Sequence, residues 1–95
     1  MSLRCFDEHV VDGILDSARA KGELFFDIEA SSVTVHDAEW RLWGIGISDG
    51  SVAVYVPVEA PFCEKVARAI WAFEGDVIGH NPKFDMQGIK KQFRL

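Results

Sequence analysis

Asp49-Gly50 lies between two runs of strand pattern, Trp40 to Ser48 (WRLWGIGIS) and Ser51 to Pro57 (SVAVYVP). An Asp-Gly pair in that setting supplies the positive backbone angles of a tight hairpin, so the middle of the chain is committed to antiparallel strands. Upstream, Glu23 to Ala30 (ELFFDIEA) has an apolar block too short for a helix and is entered directly from Gly22, which predicts a buried central strand. Downstream, Pro61 stands where a first helical turn accepts proline. Phe62, Val66, Ala69, Ile70 and Phe73 then form an apolar stripe that ends at Gly75. Asp76 to His80 (DVIGH) reads as a short strand. Asn81-Pro82 is a helix cap followed by proline at the first helical position, opening a last helix from Lys83 to Arg94.

At the other end, Phe6, Val10 and Ile14, with Val11, Leu15 and Ala18 beside them, recur at helical spacing, and Lys21-Gly22 supplies the stop. The predicted order is α-β-β-β-α-β-α. A three-stranded antiparallel meander followed by a helical crossover to a parallel strand gives a mixed sheet flanked by helices, an α/β architecture. With 95 residues there is room for one small layered domain, and no repeat or Pro/Gly/Ser-rich linker divides it. At 48% hydrophobic and 26% charged residues, the composition is that of a chain that folds around a core, not of a disordered segment.

Other classes are excluded as readily. The longest apolar run is far short of the ~20 residues a spanning helix needs, and the start has no basic-then-apolar leader, so a cytoplasmic protein that does not engage a membrane is expected. Cys5 and Cys63 have no CxxC or Cys/His companion at zinc-ligand spacing, and both are read as free thiols. Charge is unevenly placed. Residues 1–82 carry six Lys/Arg against fourteen Asp/Glu, whereas residues 83–95 carry four against one. An acidic body argues against duplex DNA binding by a broad basic face but suits a nuclease whose carboxylates are neutralised by divalent cations.

Asp27 and Glu29 are two apart on a predicted strand, so their side chains share a face with Cα atoms about 6 to 7 Å apart. Hard oxygen ligands at that spacing suit Mg²⁺ or Mn²⁺, although two acids at a strand exit are by themselves a weak signal, equally at home as solvated surface. A third carboxylate, Asp85, falls in the first turn of the last helix within GHNPKFD; alone, it would merely complement the helix dipole. His9, His36 and His80 form no pair at ligand spacing and are read as surface or capping residues. Trp40 and Trp43, at odd spacing, fall on opposite faces of a strand, so at most one packs inward, while Trp71 is assigned to the core. Lys83, Lys90, Lys91 and Arg94 are candidates for phosphate contact, Lys83 foremost.

Taken together, FDIEA at a strand end, YVPV on the third strand and GHNPKFD opening a helix, spanning Leu24 to Lys90, resemble the proofreading 3′→5′ exonuclease domain of family A DNA polymerases (DNA polymerase I-like). The DIEA form is closer to phage-type enzymes than to the bacterial FDTE form. The resemblance implies a ribonuclease-H-like fold and hydrolysis of single-stranded DNA 3′ ends by two Mg²⁺ or Mn²⁺ ions about 3.5–4 Å apart. By the motif match, Asp27 would bridge both metals, Glu29 would hold one and Asp85 the other, making these three the implied catalytic and metal-binding residues. Asn81, Lys83, Phe84 and, as an apolar wedge at the terminal base, Val33 would meet the nucleic acid. The family's third motif, YxxxD or HxxxD, has no counterpart, because Met86 to Leu95 contains no acid, tyrosine or histidine. The expectation is therefore a fold truncated before its last strand, with an incomplete two-metal site that is weak or inactive alone. The strand at Asp76 to His80 would then carry an open edge, predicting a homodimer or a partner chain there. A second reading keeps the fold but makes it a catalytically silent module that binds nucleic acid or protein.

Overall fold

A computed structural model describes residues 6–31, 38–79 and 81–95. The expectations for Cys5, Val33, His36 and His80 lie outside those residues. Seven elements follow in the predicted order: α1 Glu8–Lys21, β1 Glu23–Ala30, β2 Leu42–Ser48, β3 Ala53–Pro57, α2 Cys63–Trp71, β4 Asp76–Gly79 and α3 Pro82–Phe93. The sheet runs β3-β2-β1-β4, with β1–β2 and β2–β3 antiparallel and β1–β4 parallel.

β1 is central but buried on one side only. Leu24, Phe26 and Ile28 are buried, whereas Glu23, Asp27 and Glu29 are exposed. The register carries the inward side across to Ile45 and Ile47 of β2 and to Val54 and Val56 of β3. These residues join the inward stripes of the helices in a single cluster, so the three helices lie on one face of the sheet and, among the described residues, no helix covers the opposite face. Removing each such Leu, Ile or Val from water contributes about 1.5–3 kcal/mol.

The stripe of α1 is Val11, Ile14, Leu15 and Ala18, while Phe6 and Val10 are exposed, one position off the expected face. Asp7 caps this helix by accepting from the His9 N–H at 2.9 Å, and Gly22, in the left-handed region at φ 77°, ends it. In α2 the inward residues are Cys63, Val66, Ala67 and Ile70. Trp71 follows Ile70 by about 100° of helical turn, so it points away from the sheet and is 45% exposed, correcting its assignment to the core. Pro61 and Phe62 lie in the turn before this helix rather than inside it. Asn81 occupies the cap position of α3, with Pro82 next, but its side chain makes no capping hydrogen bond. Of the two tryptophans near β2, Trp40 is buried and Trp43 exposed.

The β2–β3 connection is longer than the two-residue turn expected from Asp-Gly. Pairing closes at Ser48 and Ala53, and Asp49 organises the four residues between them. Its Oδ1 accepts the N–H groups of Ser51 and Val52, both at 2.8 Å, while Gly50 takes φ 96°. Lys21, the last residue of α1, donates its Nζ to the Asp49 carbonyl at 3.2 Å and approaches Oδ2 at 3.6 Å. The Ser17 hydroxyl, these two amides and then the Lys21 charge hold the Asp49 carboxyl well below the usual carboxylate range. Cys63 is a buried free thiol, pushed up to about 11 by burial first and by Glu59 second, and it stays protonated at neutral pH. No helix of the described residues is long and apolar enough to cross a membrane.

Candidate metal and nucleic-acid site

Asp27 and Glu29 project from β1 onto the open face. Asp27 pairs across the ladder with Gly46, and Glu29 with Gly44. Both carboxylates therefore stand beside backbone that carries no side chain. Above Gly46, beside Asp27, this leaves open space, whereas the position above Gly44, opposite Glu29, is filled by the Tyr55 ring. A shallow groove of about 200 Å³, lined by Phe25, Asp27, Gly46, Ser48 and Ala53 among others, occupies this region. Immediately after Glu29 the β1–β2 register shifts, so pairing is interrupted where the strand leaves the site. Irregularities of this kind re-aim side chains at strand ends. The chain then closes through the Ser31 N–H to the Arg41 carbonyl at 2.9 Å and the Arg41 N–H to Ser31 Oγ at 3.0 Å.

Tyr55, within the YVPV stretch of β3, is a further residue of this face. Its ring lies where a Cβ on Gly44 would stand, against the residue paired with Glu29. The signal was present in the sequence as the two glycines of WGIGIS. Small residues on one strand leave room for an aromatic on the next. Phe25, half-buried, and Ile78, 38% exposed, extend the apolar part of the same face toward β4, where Phe25 and Ile78 are register partners.

Asp85 is placed differently. It is 3% exposed and shares the inward stripe of α3 with Gly88 and Ile89. A Cβ on Gly88 would come within 2.8 Å of Ile28 Cδ1 and 3.0 Å of Trp40, so this stripe rests on the helical side of the sheet, opposite Asp27 and Glu29. The structure thus brings two of the three carboxylates together and sets the third under the helix that leaves β4. Among the described residues, no group of three or more His, Cys, Asp or Glu is assembled to hold a metal. Asn81 and Lys83 are exposed at the start of α3, and Phe84 is half-buried against the core. Lys90 and Arg94 are exposed farther along, whereas Lys91 sits 5.7 Å from the Trp40 ring centroid, within cation–π range.

The exposed pair suits a hard divalent cation: two carboxylate donors on one face, open to solvent, with glycine opposite each. No protein-family model matches the chain, and no curated protein does.

Proposed function

We propose that the chain is a 3′→5′ exonuclease domain of the DNA polymerase I-like type, of ribonuclease-H-like fold, acting at the 3′ end of single-stranded DNA. The observation that carries the reading is the pair Asp27 and Glu29, side by side on the open face of the central strand with glycines opposite. The element order supports it as well, because β4, the parallel neighbour of β1, leads within a few residues into the helix that carries Asp85.

In this reading Asp27 and Glu29 would hold Mg²⁺ or Mn²⁺; Asp85, the third acid of the motif set, is buried on the inward stripe of α3 and does not join them in this arrangement. A bound divalent ion supplies Lewis-acid stabilisation of charge developing at the scissile phosphate. The chain's own residues do the rest. The two carboxylates keep the cation at the exit of β1, and Phe25 and Tyr55 offer aromatic surface on the same face for an unstacked base. Lys83 provides a positive charge at the start of α3 for the phosphate backbone. These 95 residues contain no YxxxD or HxxxD motif to supply a water-orienting group, and lacking such a group costs roughly 10²- to 10⁴-fold in rate. Slow hydrolysis is therefore the expected behaviour of the chain on its own.

The burial of Asp85 on the helical side favours a second reading, in which the same fold binds nucleic acid or a protein without cutting. A 5′-labelled single-stranded oligonucleotide, incubated with excess protein and Mn²⁺, separates the two. Shortening from the 3′ end in single-nucleotide steps, absent with Asp27→Ala, is the result the exonuclease reading predicts. Equal, undegraded lanes for both proteins leave only the silent module.

A further inference from the structure

The outer edge of β4 has a defined hydrogen-bonding pattern. The Asp76 N–H donates to the Gly22 carbonyl at 2.9 Å, so Asp76 and, two residues on, Ile78 turn their backbone groups toward β1. Alternation along the strand then turns both backbone groups of Val77 and Gly79 outward. Among the described residues, β4 pairs with β1 alone.

We infer that this edge pairs with the same edge of a second copy, antiparallel, about a two-fold axis at Ile78. That register sets Val77 opposite Gly79 at both ends, so each outward N–H meets an outward carbonyl, about four hydrogen bonds in all. Ile78 of one copy faces Ile78 of the other in a pair without hydrogen bonds, where Cβ atoms approach to about 4.5–5.5 Å. Its side chain, 38% exposed on the open face, is covered by its twin. Charge selects this direction. Exposed Glu74 and Asp76 mark one end of the strand, and the start of α3 with exposed Lys83 marks the other. Antiparallel pairing brings the acidic end of each copy to the helix start of its neighbour, where the aligned peptide dipoles leave about half a positive charge. A parallel arrangement would set Asp76 beside Asp76, which like-charge repulsion disfavours. The contact is short, so the dimer belongs to the weak, concentration-dependent class. The inference is independent of the exonuclease reading, since it uses only the edge of the sheet.

Sedimentation velocity of the purified chain over a wide concentration range tests it. The expected result is a monomer–dimer equilibrium that Ile78→Lys, which puts two ammonium groups across the axis, converts to monomer at every concentration. In a Cys5→Ser background, Ile78→Cys forms a disulfide-linked dimer on mild oxidation and Glu74→Cys does not. If Ile78→Lys fails to fold by circular dichroism, hydrogen exchange of the wild type decides, with the Val77 and Gly79 amides becoming protected as concentration rises. A wild type that stays monomeric up to several hundred micromolar overturns the inference. So does a dimer that survives Ile78→Lys in a folded protein, or one whose formation leaves those two amides unprotected.

Discussion

At the residue scale, Asp49 does more for this fold than its place in a turn suggests. One carboxylate caps the amides of Ser51 and Val52, takes the Ser17 hydroxyl and faces Lys21, so it ties the end of α1 to the β2–β3 connection. Replacing it by Ala removes all of these partners at once, and Asp49→Ala is expected to lower the melting temperature at pH 7 by several degrees. The pH dependence carries a definite sign. The folded-state value lies below the ordinary 3.8, so the unfolded chain takes up the proton first as pH falls. Stability from this residue is complete above about pH 5 and drains away as pH drops through and below the ordinary carboxylate range. Thermal melts between pH 7 and pH 2 should therefore converge for wild type and variant at the acid end. A gap of constant size at every pH would show that the effect is packing alone.

Among the elements, the junction of α3 with the sheet is the most sharply fitted. Gly88 lets the helix settle onto Ile28 and Trp40, and an added methyl would stand 2.8 Å from the first and 3.0 Å from the second. Ala is the better helix former by about 1 kcal/mol, yet overpacking against a rigid indole costs about 1–3 kcal/mol. The difference leaves Gly88→Ala destabilised by about 1 kcal/mol, read as a lower urea midpoint with an unchanged slope. An increase in the midpoint would mean that α3 sits farther from the sheet than described.

The elements were legible because their signals are local. Apolar spacing, Gly22 after α1, and Pro82 at the start of α3 are read from a few neighbours, and each element lies within a few residues of its expected place. What was not legible depends on neighbours distant in the chain. Val10 and Val11 are equally apolar, and only the position of the sheet decides that Val11 is buried. Trp71 was assigned to the core because it lies beside the apolar stripe of α2, yet the stripe through Ile70 leaves it outside. β1 was expected to be a buried central strand; it is central, but among the described residues no helix covers the face that carries Asp27 and Glu29, and the alternation of LFFDIE is that of a one-sided strand. The four-residue turn arose because Asp49 uses its side chain on Ser51 and Val52, a competition with the two-residue turn that the dipeptide alone does not reveal.

For the molecule as a whole, the decisive property is its division into two faces. One carries three helices and the apolar core; the other carries Asp27 and Glu29 beside two glycines, with Tyr55, Phe25 and Ile78 around them. The spacing of the two acids gave their common face from sequence. The burial of Asp85 did not follow from its position in a first helical turn, because it depends on which side of the sheet α3 covers.

Amide NMR during titration with substoichiometric Mn²⁺ reads whether a divalent cation is held on the open face by the β1 carboxylates. Paramagnetic broadening is expected to centre on Asp27 and Glu29, to spread to Gly44, Gly46 and Tyr55, and to be abolished by Asp27→Asn. Broadening centred elsewhere, or unchanged in Asp27→Asn, would contradict such binding.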